Sequence, residues 1–318
     1  MRGNRDLRHA FLRAVNSVTE FSPAKLNLFL AVTGQRADAY HDLVSVVAPL
    51  DYGDDLEARS EEREARSRFS LECDTPGVPT DGTNLILKAA NAFAAATGWQ
   101  GGVSFKLTKR IPLGAGLGGG SSNAVAALRA LNRLSGGALG EAKLAELAGA
   151  LGSDCPLFLH RAPVIMRGRG ERIEPLPTTA AARVRGRRVL LFKPGFGIST
   201  AWAYGWMASS SAKARADQEE TYWPVAQAEA RLAAWLGGNA PVEELLANNM
   251  EGVAFEKFIA LPVLLAKLRR ESGIAARMSG SGSACFAVLP DDFAAAPLIA
   301  SIRAAWGPPV FVQEARLA

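Results

Sequence analysis

The sequence contains few of the residues that build disulfide frameworks or histidine metal sites. Of 318 residues, only three are cysteine and three are histidine. Cys73, Cys155 and Cys285 lie far apart and show neither a disulfide pattern nor metal-ligand spacing. This scarcity argues against a disulfide-stabilised secreted domain and against a histidine-rich zinc or iron site, and it favours a reducing, cytoplasmic compartment. We therefore expect no dedicated metal ligands.

Long apolar segments are also missing. The densest apolar run, from Ile259 to Leu268, is short and contains Pro262 and Lys267, so it falls short of a membrane span. Residues 1–20 contain several arginines but no long apolar core, unlike a secretory signal, and we expect them to form a poorly ordered N-terminal extension. We expect no membrane partner.

The net charge of +5 arises mostly from arginine runs. A basic surface is compatible with nucleic-acid binding. No aromatic residues are interleaved with the arginines, however, so a solvated surface that suits an anionic small substrate is favoured. We expect no nucleic-acid partner.

A glycine-rich segment at the centre of the first half predicts a phosphate-binding loop. Five glycines fall between Gly114 and Gly120, and Ser121, Ser122 and Asn123 follow directly. Glycine permits positive φ and close approach of a ligand, and the apolar spacing after Asn123 predicts a helix whose N-terminus favours an anion. The segment is not a P-loop, because no lysine follows the glycines. A flexible linker is the alternative, but linkers are rarely followed by a capped helix.

Helical spacing predicts two more helices, Asn84–Thr97, ended by Gly98, and Glu141–Leu151, ended by Gly152. The proline- and arginine-rich stretch 174–188 predicts a linker with a domain boundary near residue 180. Residues 209–220 are polar and are expected to be mobile.

Polar residues stand out at three further places. Lys25 and Asn27 share one face of a predicted strand, where they either find partners or face solvent. Tyr40 and His41 lie in a polar loop that suits stacking on a flat ligand, although such pairs are often structural. Asp154 follows a predicted helix, and a helix N-cap is its alternative role.

In this order, the motifs resemble the GHMP superfamily of galactokinase, homoserine kinase, mevalonate kinase and phosphomevalonate kinase. Within it, the sequence looks most like the 4-diphosphocytidyl-2-C-methyl-D-erythritol kinases of the non-mevalonate isoprenoid pathway. The resemblance covers residues 21–290. The motifs that carry it are Pro23-Ala-Lys-Leu-Asn-Leu28, Arg36-Ala-Asp-Ala-Tyr-His41, the glycine-rich loop, Leu151-Gly-Ser-Asp-Cys-Pro-Leu-Phe158 and the Gly280-Ser-Gly-Ser283 loop.

The resemblance implies an α+β protein with the two-domain GHMP kinase fold and an active cleft between the domains. Residues 21–180 would form an ATP-binding domain like ribosomal protein S5 domain 2. Residues 181–318 would form a ferredoxin-like α+β C-terminal domain.

The resemblance also implies the roles of individual residues. Asp154 and Lys25 match the catalytic pair, and Tyr40 and Tyr204 match aromatics that stack on cytosine. The implied substrate-binding residues are Asn27, Tyr40, His41, Thr200, Tyr204, Gly280, Ser281 and Gly282. The implied ATP-binding residues are Asn84, Lys109, Pro112, Leu113, Gly114, Ala115, Gly116, Leu117, Gly118, Gly119, Gly120, Ser121, Ser122 and Asn123. The sequence departs from the family at Ala39, where the family usually has glycine. If this position adopts positive φ, Ala39 costs about 1 kcal/mol.

The implied activity is phosphorylation by ATP, brought with Mg²⁺, of the 2-hydroxyl of 4-diphosphocytidyl-2-C-methyl-D-erythritol, a cytidine diphosphate-linked polyol. A monomer or weak homodimer is expected. Two alternatives stay open: another GHMP kinase of mevalonate or homoserine type, and a non-enzymatic nucleic-acid-binding protein on the S5-like fold.

Overall fold

The computed structural model describes residues 16–61, 68–217 and 221–318. The strands are β1 (Ser17–Gln35), β2 (His41–Glu61), β3 (Phe69–Glu72), β4 (Gly102–Thr108), β5 (Val164–Gly168), β6 (Arg172–Pro175), β7 (Arg188–Lys193), β8 (Ala247–Asn248), β9 (Ala276–Met278), β10 (Cys285–Leu289) and β11 (Phe311–Arg316). The helices are α1 (Leu85–Thr97), α2 (Gly119–Leu134), α3 (Glu141–Leu151), α4 (Thr178–Val184), α5 (Thr200–Asp217), α6 (Val225–Gly237), α7 (Val242–Leu245), α8 (Met250–Lys257), α9 (Ala260–Ser272) and α10 (Ala296–Trp306), with a 3₁₀ helix at Pro156–Leu159.

The strands form two sheets. The first has seven strands in the order β3-β4-β2-β1-β8, and β5 and β6 extend it from β2. The second has four strands in the order β11-β7-β10-β9, with all neighbours antiparallel. The short strand β8 comes from the C-terminal half of the chain, yet it pairs with β1 in the first sheet.

Three apolar clusters hold these layers together. One packs α1, α2 and α3 against the first sheet, where Phe93 and Phe105 are fully buried. A second packs α8, α9 and α10 against the second sheet around Phe192. The third contains Phe29 from the first sheet and Phe286 from the second, so the two sheets share apolar contacts.

Local sequence signals explain the two helices predicted by spacing. The Asn84 side chain accepts a hydrogen bond from the Ile86 N–H, and Gly98 ends α1 in the left-handed conformation that glycine adopts without strain. Helix α3 has the predicted bounds, and Gly152 follows it. Both predictions are confirmed.

The segment predicted as a linker is more regular than expected. It contains β6, α4 and the start of β7, so residue 180 lies inside a helix whose Ala180 and Val184 are buried. The domain division at residues 180 and 181 stays a prediction.

The predicted mobile segment from residue 209 instead continues α5 as far as Asp217, and residues 218–220 lie outside the described part. Of the predicted N-terminal extension, residues 1–15 are likewise outside it, and β1 already begins at Ser17. In the described residues, no helix is long and apolar enough to cross a membrane.

Candidate active site

A cavity of about 610 Å³ lies where the glycine-rich loop meets β1, the turn after α3, the start of α5 and the loop between β9 and β10. The sequence-predicted site residues on its wall are Lys25, Asn27, Tyr40, His41, Lys109, Asp154, Thr200, Tyr204, Gly280, Ser281 and residues 112–121. Predicted catalytic, phosphate-binding and substrate-binding residues thus meet in one place.

The glycine-rich loop has the conformation that its composition predicts. Gly114, Gly116 and Gly118 have φ values of 59°, 75° and 72°. Gly118 is the N-cap of α2, which begins at Gly119, so Ser121 lies in the first turn of the helix rather than before it. Backbone N–H groups at this helix start provide a site for an anion such as a phosphate.

The loop between β9 and β10 packs directly on the glycine-rich loop. The Ala284 N–H donates to the Ala115 carbonyl at 3.0 Å. A Cβ on Gly116 would lie 2.5 Å from the Ser279 carbonyl oxygen, so only glycine fits this contact. The Thr200 and Ser281 hydroxyls form a hydrogen bond of 3.0 Å on the same wall.

Lys25 and Asp154 form an ion pair on the cavity wall. Lys25 Nζ lies 3.8 Å from Asp154 Oδ2, and the lysine is buried while the aspartate side chain is 45% exposed. Burial lowers the pKa of Lys25 below its ordinary value, and the Asp154 carboxylate opposes this shift. The alternative N-cap role of Asp154 is wrong, because the N-cap of the following 3₁₀ helix is Cys155. The Asp154 carboxylate is instead open to the cavity and can accept a proton from a bound hydroxyl.

Asn27 positions Lys25. Its Oδ1 accepts a hydrogen bond from Lys25 Nζ at 2.5 Å, and its Nδ2 donates to Ser45 Oγ at 2.9 Å. The backbone N–H of Asn27 donates to Ser279 Oγ at 3.3 Å. Both polar atoms of the Asn27 side chain therefore have protein partners, and its predicted contact with substrate stays a prediction.

Aromatic residues form a rim of the same cavity. Tyr40 is 51% exposed, and the Arg169 guanidinium lies over its ring at 5.1 Å from the centroid. The buried His41 places Nε2 3.1 Å from the Tyr222 hydroxyl and its ring 4.9 Å from that of Tyr204. Burial lowers the pKa of His41, which keeps the imidazole neutral near pH 7. The rim thus combines an exposed aromatic face with a neutral hydrogen-bonding ring.

Ala39 adopts the positive φ that the family glycine would allow. Its φ is 66°, and it is the one non-glycine residue with positive φ in the described part of the chain. The loop is held by hydrogen bonds from Arg36 N to the Tyr40 carbonyl and from Ala39 N to the Arg36 carbonyl. Ala39 therefore holds a backbone conformation that is strained for a residue with a Cβ.

Four predicted site residues lie off the cavity wall. Asn84 caps α1 and donates to the Pro79 carbonyl. Ser122 and Asn123 are buried behind the glycine-rich loop, and a Cβ on Gly282 would lie 2.6 Å from Met278 Sδ and 3.1 Å from Ile198 Cδ1. Sequence reasoning missed two residues. Arg169 lies on the rim of the cavity, and Asp54 lies behind the glycine-rich loop.

The chain matches two family models. One, described as the GHMP kinases N terminal domain, matches residues 84–161, and the other, GHMP kinases C terminal, matches residues 231–307. These matches agree with the fold class inferred from the motifs.

Relatives match over most of the chain. It is 38% identical over 296 residues to a 4-diphosphocytidyl-2-C-methyl-D-erythritol kinase of Synechococcus sp. (strain CC9902), covering 91% of this chain and 94% of that protein. It is 36% identical to the enzyme of the same name from Methylacidiphilum infernorum, covering 86% of each.

Solved structures of related kinases have the same fold as this chain. The crystal structure of a 4-(cytidine 5'-diphospho)-2C-methyl-D-erythritol kinase superposes with a TM-score of 0.73 at 31% identity, covering 95% of this chain and 100% of that one. A homoserine kinase from Cytophaga hutchinsonii has a TM-score of 0.71 at 16% identity, covers 96% of each chain and shares the fold. The chain therefore belongs to the 4-diphosphocytidyl-2-C-methyl-D-erythritol kinase family of the GHMP kinases.

Proposed function

We propose that the chain transfers the γ-phosphoryl group of ATP to the 2-hydroxyl of 4-diphosphocytidyl-2-C-methyl-D-erythritol, a step of isoprenoid biosynthesis by the non-mevalonate pathway. The observation that carries this proposal is the shared cavity: the Lys25–Asp154 pair, the glycine-rich loop and the aromatic rim all face it. An alcohol kinase needs these three elements within reach of one another.

The glycine-rich loop and the start of α2 would hold the phosphates of ATP, where backbone N–H groups meet negative charge. The substrate hydroxyl would attack the γ-phosphorus while its proton passes to the Asp154 carboxylate, and the β–γ bridging oxygen would leave with ADP. The Lys25 ammonium would stabilise the negative charge of the transferring group and stays paired with the Asp154 carboxylate.

Mg²⁺ would reach the site on the phosphates of ATP. The described residues include no cluster of three or more histidine, cysteine, aspartate or glutamate side chains that could hold a metal by themselves. On the cavity wall, the Asp154 carboxylate and the Ser121 hydroxyl are oxygen donors of the kind that Mg²⁺ prefers. When bound, Mg²⁺ neutralises charge on the phosphates.

The aromatic rim would recognise the cytidine diphosphate part of the substrate. Tyr40 and Tyr204 offer ring faces for stacking, and the neutral His41 can use Nδ1 to donate or accept a hydrogen bond while its Nε2 lies 3.1 Å from the Tyr222 hydroxyl. Arg169 would balance the negative charge of the diphosphate, since its guanidinium lies at the cavity beside Tyr40. Substrates without a base would leave this rim unfilled.

We also propose that the enzyme works in the cytoplasm as a monomer or weak homodimer, without a nucleic-acid partner. The separate free cysteines are compatible with a reducing compartment.

The test is ADP release from Mg·ATP with the cytidine substrate, its uridine analogue, mevalonate and homoserine. We expect turnover of the cytidine substrate alone, and a loss of about 10²-fold to 10⁴-fold in Asp154→Ala, the range for a removed general base. Turnover of mevalonate or homoserine would support a kinase activity but overturn the proposed substrate. No turnover by folded protein that binds ATP would overturn the reaction.

A further inference from the structure

Asp54 is a fully buried carboxylate behind the glycine-rich loop, and four donors converge on it. Its Oδ1 accepts hydrogen bonds from the backbone N–H groups of Arg110 at 2.7 Å and Ile111 at 2.8 Å. Its Oδ2 accepts from Lys109 Nζ at 2.5 Å and from Asn123 Nδ2 at 2.9 Å. A buried charge is stable only with such partners, so the carboxylate and its four donors form one rigid unit.

These donors come from both ends of the glycine-rich loop. Arg110 and Ile111 lie where the chain leaves β4 and enters the loop, and Asn123 lies in α2, where the chain leaves it. Asn123 Nδ2 also donates to Ser22 Oγ at 2.8 Å, which in turn donates to Ser122 Oγ at 2.8 Å. A single side chain on β2 therefore fixes the distance between the entry and the exit of the loop.

Asp54 also fixes the only charged side chain among those four donors. Lys109 lines the cavity, and its Nζ would lie 2.8 Å from a Cβ on Gly119, the first residue of α2. The ammonium thus sits beside the helix start while one of its three N–H groups is bonded to Asp54. The remaining N–H groups are available to a phosphate or base bound at the loop.

A buried ion pair by itself says little about function, since such pairs also occur for structural reasons. This one differs because its two carboxylate oxygens bind the loop backbone and a residue of the cavity wall together. By contrast, the described residues show no hydrogen bond or ion pair between Asp54 and the Tyr40–His41 rim. Lys25 does contact the loop, because its backbone N–H donates to the Leu117 carbonyl at 3.0 Å.

We propose that Asp54 is a positioning residue for ATP, which holds the glycine-rich loop open at the width of the phosphates and aims the Lys109 ammonium at the bound nucleotide. The proposal rests on the proposed kinase function for its ligand. It predicts a larger effect on ATP binding than on binding of the second substrate, because the Tyr40–His41 rim that would meet that substrate makes no hydrogen bond with Asp54 among the described residues.

The experiment compares Asp54→Asn with wild type by calorimetric ATP affinity and by the KM for each substrate. The amide keeps the size of the side chain but removes its charge and one of its acceptors. We expect the Kd and KM for ATP to rise between about tenfold and a hundredfold, the range for displaced binding groups, while the KM for the cytidine substrate stays within about twofold. Asp55→Asn is the matched control, because this neighbour on β2 binds the exposed Arg110 guanidinium rather than the loop backbone.

A purely structural role would lower the fraction of active enzyme and the unfolding temperature without changing either KM, and that result would overturn the proposal. An unchanged ATP Kd in folded Asp54→Asn would overturn it too. If Asp54→Asn does not fold, Asn123→Ala decides the matter: weaker ATP binding supports the proposal, and unchanged binding overturns it. Since ATP affinity is measured without turnover, a failure of the proposed reaction would be seen separately in the wild-type assay.

Discussion

The left-handed backbone at Ala39 predicts that one substitution in the substrate loop stabilises the protein. Ala39 is exposed and has a φ of 66°. An L-residue with a Cβ in this conformation costs roughly 1–2 kcal/mol. Glycine in its place loses more conformational entropy on folding, which offsets about 0.4–1 kcal/mol of that gain. We therefore expect Ala39→Gly to raise the free energy of unfolding by about 0.5–1 kcal/mol.

Chemical denaturation and thermal melting of Ala39→Gly measure this gain, which corresponds to a rise in Tm of about 1–3 °C for a chain of this size. Ala37→Gly is the matched control in the same loop. It is also exposed but lacks positive φ, so here the entropic loss alone should destabilise by about 0.4–1 kcal/mol. Because Ala39 already has a positive φ that glycine also adopts, kcat/KM of Ala39→Gly should stay within about twofold. Equal destabilisation by both substitutions would refute the idea that Ala39 is strained.

Three further predictions concern the cavity. Burial lowers the pKa of Lys25, so the lysine loses its charge as pH rises through a value below 10.5. We therefore expect kcat to fall as pH rises through that value. The residual activity of Lys25→Arg should lack this fall, because arginine keeps its charge. Burial also lowers the pKa of His41, so the KM for the cytidine substrate should rise as pH falls through a value below 6.5, with the KM for ATP constant; a parallel rise in both would contradict this. Gly116→Ala would bring a Cβ to 2.5 Å from the Ser279 carbonyl at a φ of 75°, so we expect a loss of stability of about 1–3 kcal/mol and weaker ATP binding, measured by melting and calorimetry.

The parts of the fold that the sequence predicts are those with local causes. The sequence predicts the start of α1 because the Asn84 side chain caps the helix by accepting from the Ile86 N–H. It predicts the end because Gly98 adopts a left-handed conformation there. The prolines and arginines of the segment 174–188 are typical of a linker, and their pattern does not indicate that Ala180 and Val184 of α4 are buried. Burial depends on residues brought together by the rest of the chain, and no local pattern shows it.

The same distinction holds at the site. The glycine-rich loop and the Lys25 and Asp154 motifs are contiguous, so a resemblance can identify them. Asp54 was missed because its hydrogen-bond partners follow 55 to 69 residues later in the sequence. Arg169 was missed because only the folded chain places its guanidinium over the Tyr40 ring.

The pairing of β8 with β1 has a consequence for synthesis of the chain on the ribosome. Phe29 and Leu30 of β1 take their hydrogen-bonding neighbours from Ala247 and Asn248. Until that late segment emerges, one edge of the first sheet is open, and an open strand edge is a template for pairing with another nascent chain. A polypeptide that stops near residue 180 would keep this part of the edge exposed, so the first half is expected to aggregate when it is expressed alone, whereas the full-length chain covers Phe29 and Leu30 with β8.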